Sequence, residues 1–222
     1  MRIRTKPWAR PELYACDYFI EQPEQCKGKW NQLFSKNQPL HLELGCGKGV
    51  FISELAYQNP NINYLAVDIS MDILGVARRN VAQIFGETPV ENLKLTSFNI
   101  EYIDGVLNQQ DAIQRIYIYF CNPWSKKRHK KRRLTHTRQL LKYREFLADN
   151  GEIYFKTDDD ELFEESFEYF EQAGFEIVYQ TRDLHHSDYP EDLLTTEHEI
   201  KFTEQGIPTK FLLARKTNLP QL

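Results

Sequence analysis

The sequence predicts an α/β fold, built as a doubly wound, mostly parallel sheet of seven strands with helices on both faces. From residue 41 onward, short apolar runs alternate with segments of helical periodicity, which is typical of parallel strands joined by crossover helices. A glycine-rich turn follows the first of these runs. Residues 116–120 are apolar at every position, as expected of a central strand that is covered on both faces.

Each element follows from a local pattern. Seven apolar runs predict the strands, at residues 41–44, 63–68, 93–98, 116–120, 152–156, 175–179 and 210–214. Apolar residues recur at helical spacing over residues 73–84, 140–147 and 163–170. Segment 185–208 has no clear period and is long for a connection, which indicates a functional loop. Residues 1–38 are predicted to form a basic arm with a short helix around Trp30, and residues 39–222 the main domain.

The composition excludes several classes of protein. A chain of 222 residues, 41% of them hydrophobic, suits one sizeable domain. Mean hydropathy is -0.59, and no apolar run approaches the ~18 residues that would span a bilayer, so a membrane protein is not expected. The basic N-terminus lacks the apolar core of a secretory signal, which favours the cytoplasm. The four cysteines and the histidines His185, His186 and His198 lack the spacing of metal ligands, so no metal is expected.

The charge is distributed unevenly along the chain. The net charge is -4, from 28 lysines and arginines against 32 acids. Residues 126–133 contain seven of these cations and no acid, so the other 21 cations and the 32 acids leave a charge of -11. An acidic protein with such a local run is a candidate for binding a polyanion. The alternative is a solvated run of charges with no ligand.

A glycine motif follows the first predicted strand. Glu43-Leu-Gly-Cys-Gly-Lys-Gly49 has the spacing G-x-G-x-G and opens a helix, so its backbone can approach a ligand. A dinucleotide fingerprint would need glycine where Val50 stands, and the lysine at 48 lacks the context of a phosphate-binding P-loop. Glu43 can attract a cation, and Asp68 ends the next strand, where ribose hydroxyls would need an acceptor. A glycine turn in some other doubly wound enzyme is the alternative.

This combination resembles the class I S-adenosylmethionine-dependent methyltransferases, and it implies their Rossmann-like fold. A second motif follows the central strand. Residues 120–134 read F-C-N-P-W-S-K-K-R-H-K-K-R-R-L and place an exposed Trp124 and the cation run at the ligand-binding end of a strand.

The second motif resembles the D-P-W-P-K-K-R-H-x-K-R-R-L signature of the bacterial tRNA (guanine-N(7)-)-methyltransferases. Asn122 replaces its aspartate and Ser125 its second proline. The resemblance extends over nearly the whole chain, with K-P-W at residues 6–8, F-K-T-D at residues 155–158 and T-E-H-E at residues 196–199. In the last of these segments, His198 replaces the tyrosine of the family.

The resemblance implies transfer of a methyl group from S-adenosylmethionine to nitrogen 7 of a guanine in the variable loop of tRNA. It implies that Asn122 and Asp158 are catalytic. The implied cofactor-binding residues are Glu43, Gly45, Gly47, Asp68, Asn99 and Asn122. The implied substrate-binding residues are Lys126, Asp158, Thr196, Glu197, His198 and Glu199. The implied phosphate contacts are Arg128, Lys130, Lys131, Arg132 and Arg133, with Arg2, Arg4 and Lys6 from the arm.

Several alternatives remain open at this point. Asp158 precedes a helix and could serve only as its N-cap, and the acids of residues 158–171 are expected to form a solvated helix face. Asn99 and Asn122 stand where the family has acids, so a non-catalytic tRNA-binding or cofactor-sensing protein is the main rival. A methyltransferase with a small-molecule acceptor is a third alternative, which is disfavoured because the cation run indicates a polyanionic partner. The expected partner is tRNA, with the protein a monomer or homodimer and no contact with a membrane.

Overall fold

A computed structural model of the protein describes residues 5–190 and 193–217, and the chain forms two compact units, Met1–Asp111 and Ala112–Leu222. The described residues of each unit form four strands, and the pairing between strands is mostly parallel, which confirms the predicted α/β class. The predicted boundary between residues 38 and 39 stays a prediction. Arg2 and Arg4 lie outside the described residues.

The N-terminal unit is a parallel sheet with three α-helices. Its strands are β1 (Phe19–Ile20), β2 (Leu40–Leu44), β3 (Asn63–Asp68) and β4 (Leu93–Ser97), in the order β1-β4-β3-β2. Its helices are α1 (Ala9–Tyr14), α2 (Val50–Gln58) and α3 (Met71–Phe85), with short 3-10 helices at Pro23–Cys26, Trp30–Leu33, Ile100–Gly105 and Gln109–Asp111. Strands β2 to β4 were predicted. The prediction of seven strands in the chain is wrong by one, because the two residues of β1 are too few to show a period.

The N-terminal arm is folded onto helix α3. The backbone N–H of Lys6 donates to Asp72 Oδ1 at 2.6 Å, and the guanidinium of Arg79 lies 3.5 Å from the centre of the Trp8 ring. Gly75 permits the close approach of α1, since a Cβ at this position would lie 2.4 Å from the Cβ of Ala9. The segment from Lys6 to α1 is therefore packed structure beside the start of α3.

The C-terminal unit combines parallel and antiparallel pairing. Its strands are β5 (Ile113–Tyr119), β6 (Leu147–Thr157), β7 (Phe175–Thr181) and β8 (Lys210–Lys216), in the order β5-β6-β8-β7. Strands β5 and β6 are parallel, while β8 runs antiparallel to both β6 and β7. Its helices are α4 (Thr137–Phe146), α5 (Asp160–Gln172) and α6 (Glu197–Thr203), with 3-10 helices at Lys127–Arg132 and Leu184–His186. Segment 185–208 therefore contains helix α6, which its sequence did not predict.

The described residues contain neither a helix that could span a membrane nor a cluster of metal ligands. No helix there is long and apolar enough to cross a bilayer. No group of three or more histidine, cysteine or acidic side chains in that part of the chain could hold a metal ion.

Candidate active site

The glycine turn of the N-terminal unit lies open at the ends of β2 and β3. Gly45 and Gly47 have positive φ angles of 83° and 53°, and a Cβ at either position would meet nothing within 4 Å. The backbone N–H of Gly47 donates to Asp68 Oδ2 at 3.0 Å, and that of Ser70 donates to Asp68 Oδ1 at 2.9 Å. Asp68 thus fixes the turn, and its half-buried carboxylate keeps lone pairs for a ligand.

Glu43 is a buried carboxyl with one oxygen that has no partner among the described residues. The residue is 5% exposed, and its Oε2 atom has no hydrogen-bond partner among the described residues. Burial, and to a smaller degree the charge of Asp68, raises the pKa of the Glu43 carboxyl to about 8. A cationic ligand at this turn would stabilise the carboxylate form, so the site suits a positively charged molecule.

Asn99 and Ile69 follow the ends of β4 and β3. Asn99 begins the 3-10 helix Ile100–Gly105, and its Oδ1 accepts from the N–H of Glu101 at 3.0 Å. This cap leaves the side-chain amide N–H groups as donors, where the family's acid would offer acceptors. Ile69 is 66% exposed directly after Asp68, which suits it to cover an apolar ring of a ligand. Ile69 was not among the predicted site residues, although an isoleucine directly after a strand-ending acid is a usable signal.

In the C-terminal unit, Asn122 and Asp158 follow the ends of two neighbouring parallel strands. Tyr119 pairs with Lys156, and the N–H of Phe120 donates to the carbonyl of Lys156 at 2.9 Å. The structure therefore brings the two strand ends together. Asn122 is exposed and Asp158 is half-buried.

The turn after β5 has an unusual backbone. Phe120 and Trp124 have φ angles of 50° and 46°, values that bulky residues rarely adopt. The Oδ1 atom of Asn122 accepts from the N–H of Trp124 at 3.0 Å and closes the turn. Strained backbone of this kind concentrates at functional sites, because the surrounding structure must hold it in place.

The cap of helix α5 is Asp159 and not Asp158. Asp159 Oδ1 accepts from the N–H of Leu162 at 2.7 Å. The carbonyl of Asp158 accepts from Lys210 Nζ at 3.0 Å, while its carboxylate accepts no hydrogen bond within the described part of the chain. The alternative that Asp158 serves as an N-cap is therefore wrong, and its carboxylate remains available for a ligand.

Two cations of the basic run are used inside the fold. Arg133 is 0% exposed, and it donates to Pro123 O at 2.6 Å, Glu165 Oε2 at 2.6 Å and Glu161 Oε2 at 3.2 Å. Lys130 also pairs with Glu165, and it lies 2.7 Å from Glu161. The predicted phosphate contact of Arg133 is wrong, since its guanidinium is buried against α5 and the turn. Glu161 and Glu165 likewise do not belong to a merely solvated helix face.

The remaining cations of the run face outward. The five exposed cations are Lys126, Lys127, Arg128, Lys131 and Arg132. The guanidinium of Arg132 lies 5.3 Å from the centre of the Trp124 ring, so it is held next to the strained turn. The contacts with tRNA that were predicted for Lys126, Arg128, Lys131 and Arg132 stay predictions.

The segment Thr196 to Glu199 divides into two inward and two outward residues. Thr196 and Glu199 are buried and form a capping box at the start of α6. Glu197 and His198 are exposed, and the His198 ring stacks on Phe120 with centroids 5.4 Å apart. Glu197 and His198 are thus the residues of this segment that face outward, and the predicted binding of substrate by residues 196–199 stays a prediction.

Comparison with known proteins identifies the family. Residues 37–212 match a family model described as "Putative methyltransferase". The chain is 58% identical over 218 residues to the tRNA (guanine-N(7)-)-methyltransferase of Clostridium botulinum strain Eklund 17B, covering 97% of this chain and 99% of that protein. The chain belongs to the family of tRNA (guanine-N(7)-)-methyltransferases. The tRNA (guanine-N(7)-)-methyltransferase of Clostridium perfringens strain 13 is 56% identical over 219 residues, 97% of this chain and 100% of the relative.

Solved structures of other methyltransferases share the fold of this family member. The antibiotic-resistance methyltransferase Kmr matches with a TM-score of 0.55 at 15% identity, over 82% of this chain and 88% of that one. The precorrin-6y C5,15-methyltransferase of Geobacter metallireducens GS-15 matches with a TM-score of 0.53 at 17% identity, over 81% and 82%. At these identities the similarity shows the Rossmann-like methyltransferase fold alone.

The cofactor of this methyltransferase is S-adenosylmethionine, and the N-terminal unit fits it. The buried Glu43 carboxyl, whose Oε2 atom has no partner among the described residues, suits a ligand with a sulfonium and an ammonium group. The open glycine backbone permits close approach, and Asp68 offers acceptors for ribose hydroxyls.

Glu43 should couple cofactor binding to pH. Because the ligand-free carboxyl has a raised pKa of about 8 and the bound cation favours the carboxylate, binding should release a proton. Between pH 6 and pH 7, affinity for S-adenosylmethionine should rise by up to about tenfold in the wild type. Glu43→Gln should weaken binding and remove this dependence. Titration calorimetry in two buffers of different ionisation enthalpy measures the affinity and the number of protons released. Equal proton release by the wild type and Glu43→Gln would contradict the assignment of Glu43 to the bound cation.

Proposed function

We propose that this protein transfers the methyl group of S-adenosylmethionine to nitrogen 7 of a guanine in the variable loop of tRNA. The observation that carries the proposal is the adjacency of Asn122 and Asp158 at two neighbouring strand ends, followed by exposed cations. Such a site joins polar side chains that can bind a base to a surface that can bind phosphates. We place the reaction in the cytoplasm and expect a monomer or homodimer, which light scattering would distinguish.

The chemistry requires positioning more than proton transfer. Nitrogen 7 of guanine has a lone pair and no proton, so its attack on a methyl carbon needs no general base. S-adenosylmethionine supplies an electrophilic methyl group on a sulfonium. The task of the protein is then to hold the base in line with that group, which is the main source of rate in such reactions.

Asp158 is the residue that we assign to the base. Its carboxylate has no hydrogen bond within the described residues, so it can accept from the ring N–H and the amino group on the Watson–Crick edge of guanine. A base splayed out of its stack presents this edge to the protein. The negative charge also stabilises the positive charge that develops on guanine during methylation.

Asn122 should make methyl transfer slower than an aspartate at the same position would. Its Oδ1 closes the turn with Trp124, and an aspartate could make the same contact while adding a negative charge. One charge-assisted contact of about 1.4 to 3 kcal/mol corresponds to about a tenfold to hundredfold change in rate. Asn122→Asp is therefore expected to raise the single-turnover rate on tRNA by that factor. An unchanged or lower rate, at equal affinity for tRNA and cofactor, would show that the charge at residue 122 does not assist transfer.

The exposed cations should set the salt dependence of tRNA binding. Replacing Arg128, Lys131 and Arg132 with alanine should weaken binding and lower the log–log salt slope by about one unit for each lost contact. Arg182→Ala is a matched control, since this exposed arginine pairs with Glu164 on helix α5. Filter binding over a series of salt concentrations measures the slopes. If the triple variant and the control both keep the wild-type slope, the run does not contact phosphate.

The proposed target atom can be tested by removing it. A tRNA whose variable-loop guanine is replaced by 7-deazaguanine has a carbon in place of nitrogen 7. We expect this tRNA to bind with normal affinity and to accept no methyl group. Methylation of the modified tRNA at an undiminished rate would overturn the proposed site of transfer. Equal activity on a small-molecule acceptor would instead favour a methyltransferase whose acceptor is a small molecule.

A further inference from the structure

Lys156 is a buried cation beside the candidate site that no step above uses. It lies in β6, two residues before Asp158, and its side chain is 0% exposed. Its Nζ donates to Glu199 Oε1 at 2.9 Å, Glu199 Oε2 at 3.1 Å and Leu194 O at 3.2 Å. Each N–H of the ammonium group therefore has an acceptor, and the side chain cannot also contact a ligand in this arrangement.

Glu199 is equally occupied. Its Oε2 also accepts from the N–H of Thr196 at 2.8 Å, while its own N–H donates to Thr196 Oγ1 at 3.2 Å. The Nε2 atom of His185 lies 3.6 Å from Glu199 Oε1. With both carboxylate oxygens used in the interior, Glu199 connects Lys156 to the first turn of α6.

We propose that Lys156 is a positioning residue for methyl transfer, which fixes the start of α6 against the end of β6. Through Glu199 and Leu194 it sets where Glu197 and His198 lie relative to Asp158, which follows on the same strand. The proposal rests on the function proposed above, since it assigns this ion pair to the arrangement of the base site.

Energetics favour this role over a purely stabilising one. Burial lowers the pKa of Lys156, and the charge of Glu199 opposes that shift. The Lys156 ammonium also lies 4.8 Å from the centre of the Tyr119 ring, which adds a cation–π contact. Buried ion pairs can often be replaced by apolar residues without loss of stability, so stability alone does not explain why this site contains an ion pair. The hydrogen bonds of an ion pair have defined directions, and they can hold the start of α6 in a single position.

The experiment separates positioning from folding with a paired substitution. Lys156→Met alone leaves the buried Glu199 charge unpaired and should destabilise the protein. The double variant Lys156→Met with Glu199→Gln removes both charges and keeps a side chain that can complete the capping box. The single variant Glu199→Gln tests the same contact in a second way. Lys216→Met is the matched control, because Lys216 is a largely buried lysine of β8 that donates to Leu147 O at 2.6 Å.

We expect the double variant to unfold at nearly the wild-type temperature and to bind S-adenosylhomocysteine normally. Its kcat for tRNA methylation should be lower by about tenfold to hundredfold, since a misplacement of about 1 Å has that effect. Its KM for tRNA should change by less than about threefold, because phosphate contacts dominate affinity. The control should keep the wild-type kcat.

Recovery of both thermal stability and kcat in the double variant would overturn the proposal and leave Lys156 a stabilising role only. A normal kcat in Glu199→Gln would also overturn it, even where the other variants fail to fold. Failure of the wild type to methylate tRNA would overturn the proposed function instead. The two failures are distinct, because the wild type is measured in every assay.

Discussion

Asp158→Asn is expected to reduce the single-turnover rate of methyl transfer to tRNA by about a hundredfold to a thousandfold. This range is the usual loss when one electrostatic contact to a transition state is removed. The side chain keeps its size, and the carbonyl that accepts from Lys210 Nζ is untouched, so the fold should be preserved. Rapid-quench measurement with enzyme in excess over labelled tRNA gives the rate directly.

The matched control for this prediction is Asp159→Asn on the next residue. Asp159 caps α5 through Leu162, a contact that asparagine also makes, so the control should lose little stability and little activity. Binding of S-adenosylhomocysteine and tRNA should stay within about threefold of wild type in both variants, because phosphates carry most of the tRNA affinity. A rate for Asp158→Asn within about threefold of wild type would remove Asp158 from the reaction.

Arg133→Ala is expected to destabilise the protein by about 3 kcal/mol, the low end of the cost of removing one partner from a buried ion pair. The substitution leaves Glu165 with Lys130 and the hydroxyl of Tyr169, and it removes the hydrogen bond to Pro123 O that holds the strained turn. For a chain of this size, the loss corresponds to a melting temperature lower by about 6 to 12 °C. Differential scanning calorimetry measures it.

The turn held by Arg133 also carries Asn122 and Trp124, so transfer should slow in Arg133→Ala even well below the melting temperature. Arg182→Ala removes an exposed pair with Glu164 and should change stability by less than about 1 kcal/mol. If Arg133→Ala were as stable as the Arg182→Ala control, the guanidinium would not be a support of the turn.

Much of the site could be predicted from the sequence, because its residues follow strands. Glu43 precedes a glycine turn, and Asp68 ends a strand. Asn122 and Asp158 each follow an apolar run. The ends of adjacent parallel strands lie at one edge of a sheet, so the pairing of β5 with β6 places the last two side by side.

The errors arose where tertiary packing decides the direction of a side chain. Arg133 has the same local sequence environment as Arg132, yet it points inward because helix α5 places Glu161 and Glu165 beside it. The choice of Asp159 over Asp158 as the cap depends on one turn of backbone that periodicity cannot resolve. Strand β1 was missed because its two residues depend on pairing with β4, a partner more than seventy residues away.

The ion pair of Lys156 and Glu199 could not be predicted from the sequence for a similar reason. Both residues were visible in motifs, but 43 residues separate them. Only the folded chain shows that the capping box of α6 is tied to β6. A resemblance assigned Glu199 to the substrate, whereas the geometry gives its carboxylate to Lys156 and Thr196.

The most direct test of the central claim is transfer of labelled methyl from S-adenosylmethionine to bulk tRNA, followed by chemical cleavage specific for 7-methylguanosine. We predict that the wild-type protein labels tRNA and that cleavage yields fragments ending at one guanine of the variable loop. Asp158→Asn should give little label at equal protein concentration. Binding of tRNA and cofactor without any transfer, also in Asn122→Asp, would contradict the claim and identify a binding protein.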